Sequence, residues 1–221
     1  FRETRRRAHH GAAWLEQLGG TNIAFLGLNG PALPVALFAA GMLARPFAPL
    51  NYRLPDADLN KLLARTAPSV AIVDDDMVGR VGACEGVTVV SRSAFDAACR
   101  VHGDCEAEFL DIDHDIAVLL FTSGTTGEPK AAILRHANLT SYVTSTVEFL
   151  GAEAEEASLV SVPPYHIAGI SAVLTGVYSG RRIVHLEAFT PEAWVDAAAA
   201  EQITHAMVVP TMLGRILDVL A

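Results

Sequence analysis

Short apolar segments alternate with longer segments of helical period through the first 150 residues of the chain. Strands are predicted at 23–28, 47–50, 70–73, 87–90 and 116–121, and helices at 2–18, 34–43, 55–67 and 139–150. Apolar strands that alternate with helices form mostly parallel sheets with helices covering both faces. The order of segments therefore predicts an α/β fold of mostly parallel sheets flanked by helices.

Two subdomains are expected. Residues 1–150 form the first, and residues 151–221 begin a second with strands at 159–162, 182–186 and 205–209. A content of 51% hydrophobic and 19% charged residues excludes intrinsic disorder. The most apolar run, 32–44, is broken by Pro34 and Gly41. A membrane-spanning helix needs about 20 apolar residues, so a buried helix is predicted there and no transmembrane segment.

Charge and cysteine content exclude two further classes. With 25 acidic against 16 basic side chains, the net charge of −9 argues against a general nucleic-acid-binding surface. Cys84, Cys99 and Cys105 show neither paired metal spacing nor a disulfide framework. A reduced, cytoplasmic location is therefore expected.

One glycine-rich loop concentrates the chemistry. An apolar strand ending at Phe121 runs into a stretch with the sequence TSGTTGEPK, and an apolar strand-like run follows at 131–134. The stretch offers hydroxyls, two glycines and a lysine, namely Thr122, Ser123, Gly124, Thr125, Thr126, Gly127 and Lys130. Glycines allow a ligand to approach backbone N–H groups, which form an anion-binding concavity. Together with hydroxyls and one ammonium they suit a polyphosphate.

The loop does not match the phosphate loop of kinases and GTPases. That pattern needs Lys directly after the second Gly and a helix after it, whereas Lys130 lies three residues after Gly127 and a strand is predicted downstream. The alternative without a ligand is a polar hairpin loop. His166, in the apolar stretch VPPYHIAG at 162–169, is on residue type alone a packed, hydrogen-bonded histidine.

The stretch FTSGTTGEPK at 121–130 resembles the phosphate-loop motif of the adenylate-forming superfamily of acyl- and aryl-CoA ligases, firefly luciferase and peptide-synthetase adenylation domains. The family commonly has Gly where this chain has Ala131. Further stretches resemble the family in the same order, namely PLNYRL at 49–54, HANL at 136–139, VPPYHIAG at 162–169 and THAMVVPTML at 204–213. The chain looks most similar to the N-terminal portion of fatty-acyl-CoA ligases and is expected to be under half of a family member.

The resemblance implies a reaction in two steps. A carboxylate attacks the α-phosphate of ATP to give an acyl-adenylate and pyrophosphate, and coenzyme A then displaces AMP. Thr122 to Gly127 would hold the β- and γ-phosphates, with Lys130 as a catalytic residue that neutralises their charge. Mg²⁺ would take Thr122 among its ligands. The family's later adenosine-binding segments are absent from this sequence, so this portion alone is expected to be inactive.

The resemblance also assigns the acid-binding residues. By this resemblance His166 is not merely a packed histidine but a catalytic and substrate-binding residue at the mouth of the acyl pocket. Tyr165 and Gly169 would bind the substrate beside it. A neutral imidazole there favours an uncharged acyl or aryl tail, whereas amino-acid-activating domains tend to have Asp. Two alternatives stay open: an amino- or aryl-acid adenylation domain that loads a carrier protein, and a non-catalytic nucleotide- or acyl-binding module. A homodimer through apolar surface at 207–220 is also expected.

Overall fold

The computed structural model describes residues 1–101, 115–122 and 130–221. The chain divides into two compact units. Unit 1 comprises residues 1–27 and 32–138, and unit 2 comprises residues 28–31 and 139–221. Apart from residues 28–31, the chain passes from unit 1 to unit 2 between residues 138 and 139. The subdomain boundary expected at residue 150 stays a prediction.

Unit 1 is built on a six-stranded sheet with the order β4-β3-β1-β2-β5-β6. Its strands are β1 Asn22–Leu26, β2 Phe47–Pro49, β3 Ser69–Val73, β4 Val87–Ser91, β5 Ile116–Thr122 and β6 Lys130–Arg135. Its helices are α1 Arg2–Gln17, α2 Ala32–Met42, α3 Asp56–Ala64 and α4 Arg92–Cys99, and α5 His136–Thr146 begins in it. The first five strands are parallel and only β6 is antiparallel, which confirms the predicted α/β class.

The core of unit 1 lies on the central strands. Ile23 on β1 pairs with Phe47 on one side and Val70 on the other, and all three side chains are fully buried. Phe25 and Phe47 add an aromatic contact with ring centroids 5.9 Å apart. Full burial of such side chains contributes about 1.5–3 kcal/mol each, so this apolar layer fixes the positions of the strands.

The parallel strands end at a common edge of the sheet. β1 is followed by β2 on one side and β3 on its other side, so the direction of the crossovers reverses there. Because β5 runs parallel to β2, Thr122 ends β5 at the same carboxyl edge. Ligands of open α/β sheets bind outside the carboxyl ends of the strands.

Unit 2 contains a three-stranded parallel sheet with the order β8-β7-β9. Its strands are β7 Ala157–Val160, β8 Arg182–His185 and β9 His205–Ala206, and its helices are α6 Ile167–Ser179, α7 Pro191–Ala200 and α8 Pro210–Leu220. The three strands predicted from the sequence are present. β7 begins and ends two residues earlier than predicted, and β9 is only two residues long.

The start of α5 corrects one prediction. A helix is predicted over 139–150, but α5 begins at His136, and Asn138 lies in its first turn. The Asn138 Oδ1 atom accepts a hydrogen bond from the Arg135 N–H at 3.0 Å. This bond satisfies a backbone donor at the helix start from inside the helix.

Within the three described ranges, no helix combines the length and the apolar character needed to cross a membrane.

Candidate functional site

Thr122 and Lys130 face each other where β5 and β6 meet. They form the last pair of the antiparallel ladder, and the Thr122 hydroxyl donates to the Lys130 carbonyl at 3.3 Å. The two ends of the glycine-rich stretch are therefore adjacent at the carboxyl edge of the sheet. Five predicted phosphate-binding residues lie outside the described residues: Ser123, Gly124, Thr125, Thr126 and Gly127.

The strands that hold this pair differ in burial. β5 places Val118 and Leu120 in the core, whereas β6 is the outer strand and is mostly exposed. The Arg65 guanidinium lies 5.6 Å from the ring centroid of Phe121, the residue before Thr122. A cation over an aromatic face contributes about 0.5–1 kcal/mol at exposed sites. The sequence alone did not indicate Arg65, because nothing in the local pattern around it points to β5.

Lys130 is available to an anionic ligand. Its side chain is exposed, and among the described residues it forms no ion pair within 4.0 Å. Thr122 is exposed as well. An exposed ammonium is a group that a polyphosphate attracts.

The residues present fit a Mg²⁺ ion held mainly by its substrate. Among the described residues, no group of three or more His, Cys, Asp and Glu side chains could form a metal cage. Mg²⁺ usually keeps several waters and binds one or two protein oxygens together with phosphates. The exposed hydroxyl of Thr122 is a hard oxygen donor of the required kind.

The predicted acid-binding residues lie on one turn of unit 2. Tyr165 is buried, and its ring centroid is 4.6 Å from that of His166. His166 is exposed and precedes the first residue of α6 as its N-cap. The His166 N–H donates to the Pro163 carbonyl at 3.1 Å, and the Gly169 N–H donates to the His166 carbonyl at 3.0 Å. The structure thus brings Tyr165, His166 and Gly169 together.

Gly169 is in close contact with the chain before it. A Cβ atom at this position would lie 2.7 Å from the Pro163 carbonyl oxygen and 3.0 Å from the Val162 carbonyl oxygen. Contacts below 3.0 Å force backbone to move, so only glycine fits here without a shift.

Asn29 contacts the stretch that carries the predicted acid-binding residues, and the sequence does not indicate this contact. It belongs to unit 2, and its side-chain amide donates to the carbonyl of Val162, at the start of the stretch that contains Tyr165 and His166. A local pattern does not reveal this contact, because the two residues are 133 positions apart.

All 221 residues match the family described as AMP-binding enzyme. The chain is 34% identical over 201 residues to a feruloyl-CoA synthase of Amycolatopsis and 30% identical over 204 residues to an indoleacetate–CoA ligase of Aromatoleum aromaticum. These matches cover 89% and 86% of this chain, and the chain spans 40% of the length of each relative.

A solved structure supports the same assignment. ATP-bound MatB from Rhodopseudomonas palustris superposes with a TM-score of 0.82 and 26% identity, covering 97% of this chain and 44% of that one. The fold, the order of its motifs and these similarities agree. The chain therefore belongs to the AMP-binding enzyme family of the adenylate-forming superfamily, as its glycine-rich stretch predicts.

Proposed function

We propose that the protein containing this chain is an AMP-forming acid–CoA ligase that activates a carboxylic acid with ATP. The observation that carries the proposal is the Thr122–Lys130 pair at the carboxyl edge of the parallel sheet. It ends the antiparallel ladder of β5 and β6, and it leaves the lysine side chain exposed and without an ion pair among the described residues. The matched relatives are CoA ligases by name.

The first chemical step needs charge stabilisation more than an acid or a base. Pyrophosphate leaves as the carboxylate attacks the α-phosphate, and negative charge grows on its oxygens. Lys130 would contribute an ammonium there. Two unit charges 4 Å apart interact by about 4 kcal/mol at an effective dielectric constant of 20. Mg²⁺, held by Thr122 and the phosphates, would supply further positive charge.

The acid is proposed to be apolar beyond its carboxylate. Tyr165 contributes a buried aromatic ring and His166 an exposed imidazole at the start of α6. This turn carries no carboxylate that could pair with a substrate ammonium. The fatty acids expected from the sequence and the aromatic acids in the names of the relatives are the two classes to compare. Coenzyme A as acceptor and a cytoplasmic location belong to the same proposal.

Two other functions make different predictions. A domain that loads a carrier protein would transfer the acyl group to a phosphopantetheine-bearing protein and not to free coenzyme A. A non-catalytic binding module would bind Mg·ATP without any acid-dependent turnover. The chain's place in a catalytic family and the named CoA ligase relatives favour the ligase.

Exchange of labelled pyrophosphate into ATP tests the proposal in the whole protein. We expect exchange that depends on an added acid, with decanoate, ferulate and phenylalanine representing fatty, aromatic and amino acids. Lys130→Ala should lower the rate about 10²–10³-fold, as expected when one charge-stabilising group is lost.

Lys61→Ala is the matched control, since Lys61 is the only other lysine of the chain and pairs with Asp58 on the exposed face of α3. It should leave the exchange rate within twofold of the wild type. Equal exchange rates for the two variants would show that Lys130 takes no part in the reaction. Failure of every added acid to support exchange would refute the ligase.

A further inference from the structure

The Asn29 side chain bridges two chain segments inside unit 2. It is 1% exposed, and its Nδ2 atom donates to the Val162 carbonyl at 3.1 Å and to the Leu186 carbonyl at 3.2 Å. Both partners are carbonyl oxygens, which accept and cannot donate. The amide nitrogen must therefore face them, and the orientation of the amide is settled by its contacts.

The two carbonyls lie just beyond the ends of neighbouring parallel strands. β7 ends at Val160 and β8 ends at His185, and the last backbone bond between these segments runs from the Leu186 N–H to the Val160 carbonyl at 3.0 Å. Asn29 thus continues the connection between the segments after the ladder has ended. It holds the start of the acid-binding turn against the segment that follows β8.

The acid-binding turn needs an external donor at this point. Pro163 and Pro164 follow Val162 directly, and proline has no N–H to donate. Two successive residues therefore cannot anchor the segment through backbone donors. The Val162 carbonyl can anchor the segment as an acceptor, and the Asn29 side chain supplies the donor.

Val162 also supports the first turn of α6. Gly169 packs so closely on the Val162 and Pro163 carbonyls that a Cβ atom there would overlap them. The Val162 carbonyl therefore accepts from Asn29 and lies beside Gly169, in the first turn of α6. A movement of this carbonyl would move the turn that carries Tyr165 and His166.

Two buried oxygens next to this contact are not hydrogen-bonded within the described ranges. They are the Asn29 Oδ1 atom and the Ser161 Oγ atom, and each residue is 1% exposed. A buried polar atom without a partner carries a desolvation cost. That cost offsets part of what the two donated bonds contribute to stability. We therefore expect Asn29 to affect the position of the segment that begins at Val162 more than it affects the stability of the fold.

We propose that Asn29 is a positioning residue for acid binding, which fixes Val162 and through it the turn that presents Tyr165 and His166. This inference rests on the proposed function, because it requires that turn to contact the acid. It concerns binding of the acid and not of ATP, for which the described predicted ligands are Thr122 on β5 and Lys130 on β6, both in unit 1.

Steady-state exchange kinetics of the whole protein test the functional half. Asn29→Ala should raise the KM for the acid at least tenfold and leave the KM for ATP within twofold. Asn60→Ala is the matched control, since Asn60 is half-buried in unit 1 and likewise donates to two carbonyls, those of Asp56 and Arg80. Asn29→Leu has a similar volume without the donors, should behave like the alanine variant, and replaces it if that variant does not fold.

Hydrogen–deuterium exchange tests the positional half without any activity. In Asn29→Ala the amides of 166–170 should exchange at least tenfold faster than in the wild type, and in Asn60→Ala they should not change. Unchanged exchange there would overturn the positioning role. Faster amide exchange with an unaltered KM for the acid would overturn the link to acid binding. An equal rise of the KM for the acid and the KM for ATP would also overturn it. A wild-type protein without acid-dependent pyrophosphate exchange refutes the proposed function and this link, and leaves the amide result standing by itself.

Discussion

Burial gives two of the cysteines different reactivity. Cys99 is fully buried at the end of α4, and burial raises the pKa of its thiol to about 12. Cys84 is half-buried. Only the thiolate is nucleophilic, so the Cys99 thiol is almost entirely protonated and unreactive at pH 8 in the folded protein.

Alkylation with iodoacetamide at pH 8, followed by peptide mass spectrometry, checks this difference. Cys84 should be labelled in the native protein, whereas Cys99 should stay unlabelled until denaturant is added. Equal labelling of the two under native conditions would contradict the burial of Cys99.

Gly169 is the residue at which a single methyl group should be costly. Gly169→Ala places a Cβ 2.7 Å from the Pro163 carbonyl, and overpacking of this kind costs about 1–3 kcal/mol. Gly214→Ala is the control on α8, where a Cβ meets nothing within 4 Å and helix propensity favours alanine by about 0.5–1 kcal/mol. Urea unfolding should show the first variant destabilised and the second not. A Gly169→Ala variant as stable as the wild type would show that the backbone of the turn shifts at no cost in stability.

At the scale of elements, α1 carries a pH-sensitive residue. Burial, followed by the charges of Arg5 and His10, lowers the pKa of His9 below its ordinary value. The Arg5 guanidinium donates to the His9 Nε2 atom at 3.4 Å, which requires that atom to be unprotonated. The unfolded chain then binds a proton more readily than the folded chain, so stability falls as pH drops below about 6.5.

Urea unfolding at pH 8 and pH 5.5 measures this dependence. The wild type should lose more stability between the two pH values than His9→Gln, which has no titrating group at this position. An identical pH dependence of the two proteins would mean that His9 does not couple to folding.

The sequence predicts elements where the signal is local. The apolar runs on both sides of the glycine-rich stretch predict β5 and β6, and Thr122 and Lys130 are found paired as that hairpin requires. β9 ends at Ala206, and the last residue of the predicted strand, Val209, is the N-cap of α8, whose first residue is Pro210. A residue before proline is extended but need not pair in a ladder.

Contacts made at long range are not visible in such patterns. Asn29 acts on carbonyls 133 and 157 positions away, and nothing around it in the sequence indicates either partner. Periodicity predicted the α/β class, and the residue types of the glycine-rich stretch predicted an anion-binding loop. The reaction, the β- and γ-phosphates as ligands of that loop and the acid-binding residues came from a resemblance to known motifs.

At the scale of the whole molecule, the 221-residue chain exposes an apolar stripe on α8. Leu213, Leu217 and Leu220 share one helix face at helical spacing and are 47%, 56% and 61% exposed. Apolar stripes of this kind favour association. The homodimer expected from the sequence stays a prediction, and α8 is the surface on which to test it.

Light scattering of the 221-residue chain at about 100 µM, where modest association is visible, should give a mass above that of a monomer. Leu213→Glu combined with Leu217→Glu should restore the monomer mass. Leu150→Glu, at another exposed leucine (58% exposed), should not. A wild-type chain that is monomeric at this concentration would contradict the prediction.

We expect the protein containing this chain to activate an acid as an adenylate before it forms a thioester. A single-turnover reaction of the whole protein with ATP, Mg²⁺ and its best acid, quenched and measured by mass spectrometry, tests this directly. Without coenzyme A we expect an acyl-adenylate and one pyrophosphate for each adenylate, and on adding coenzyme A the adenylate should convert to acyl-CoA and AMP. Formation of ADP and phosphate, or of a thioester with no adenylate before it, would contradict this order of steps.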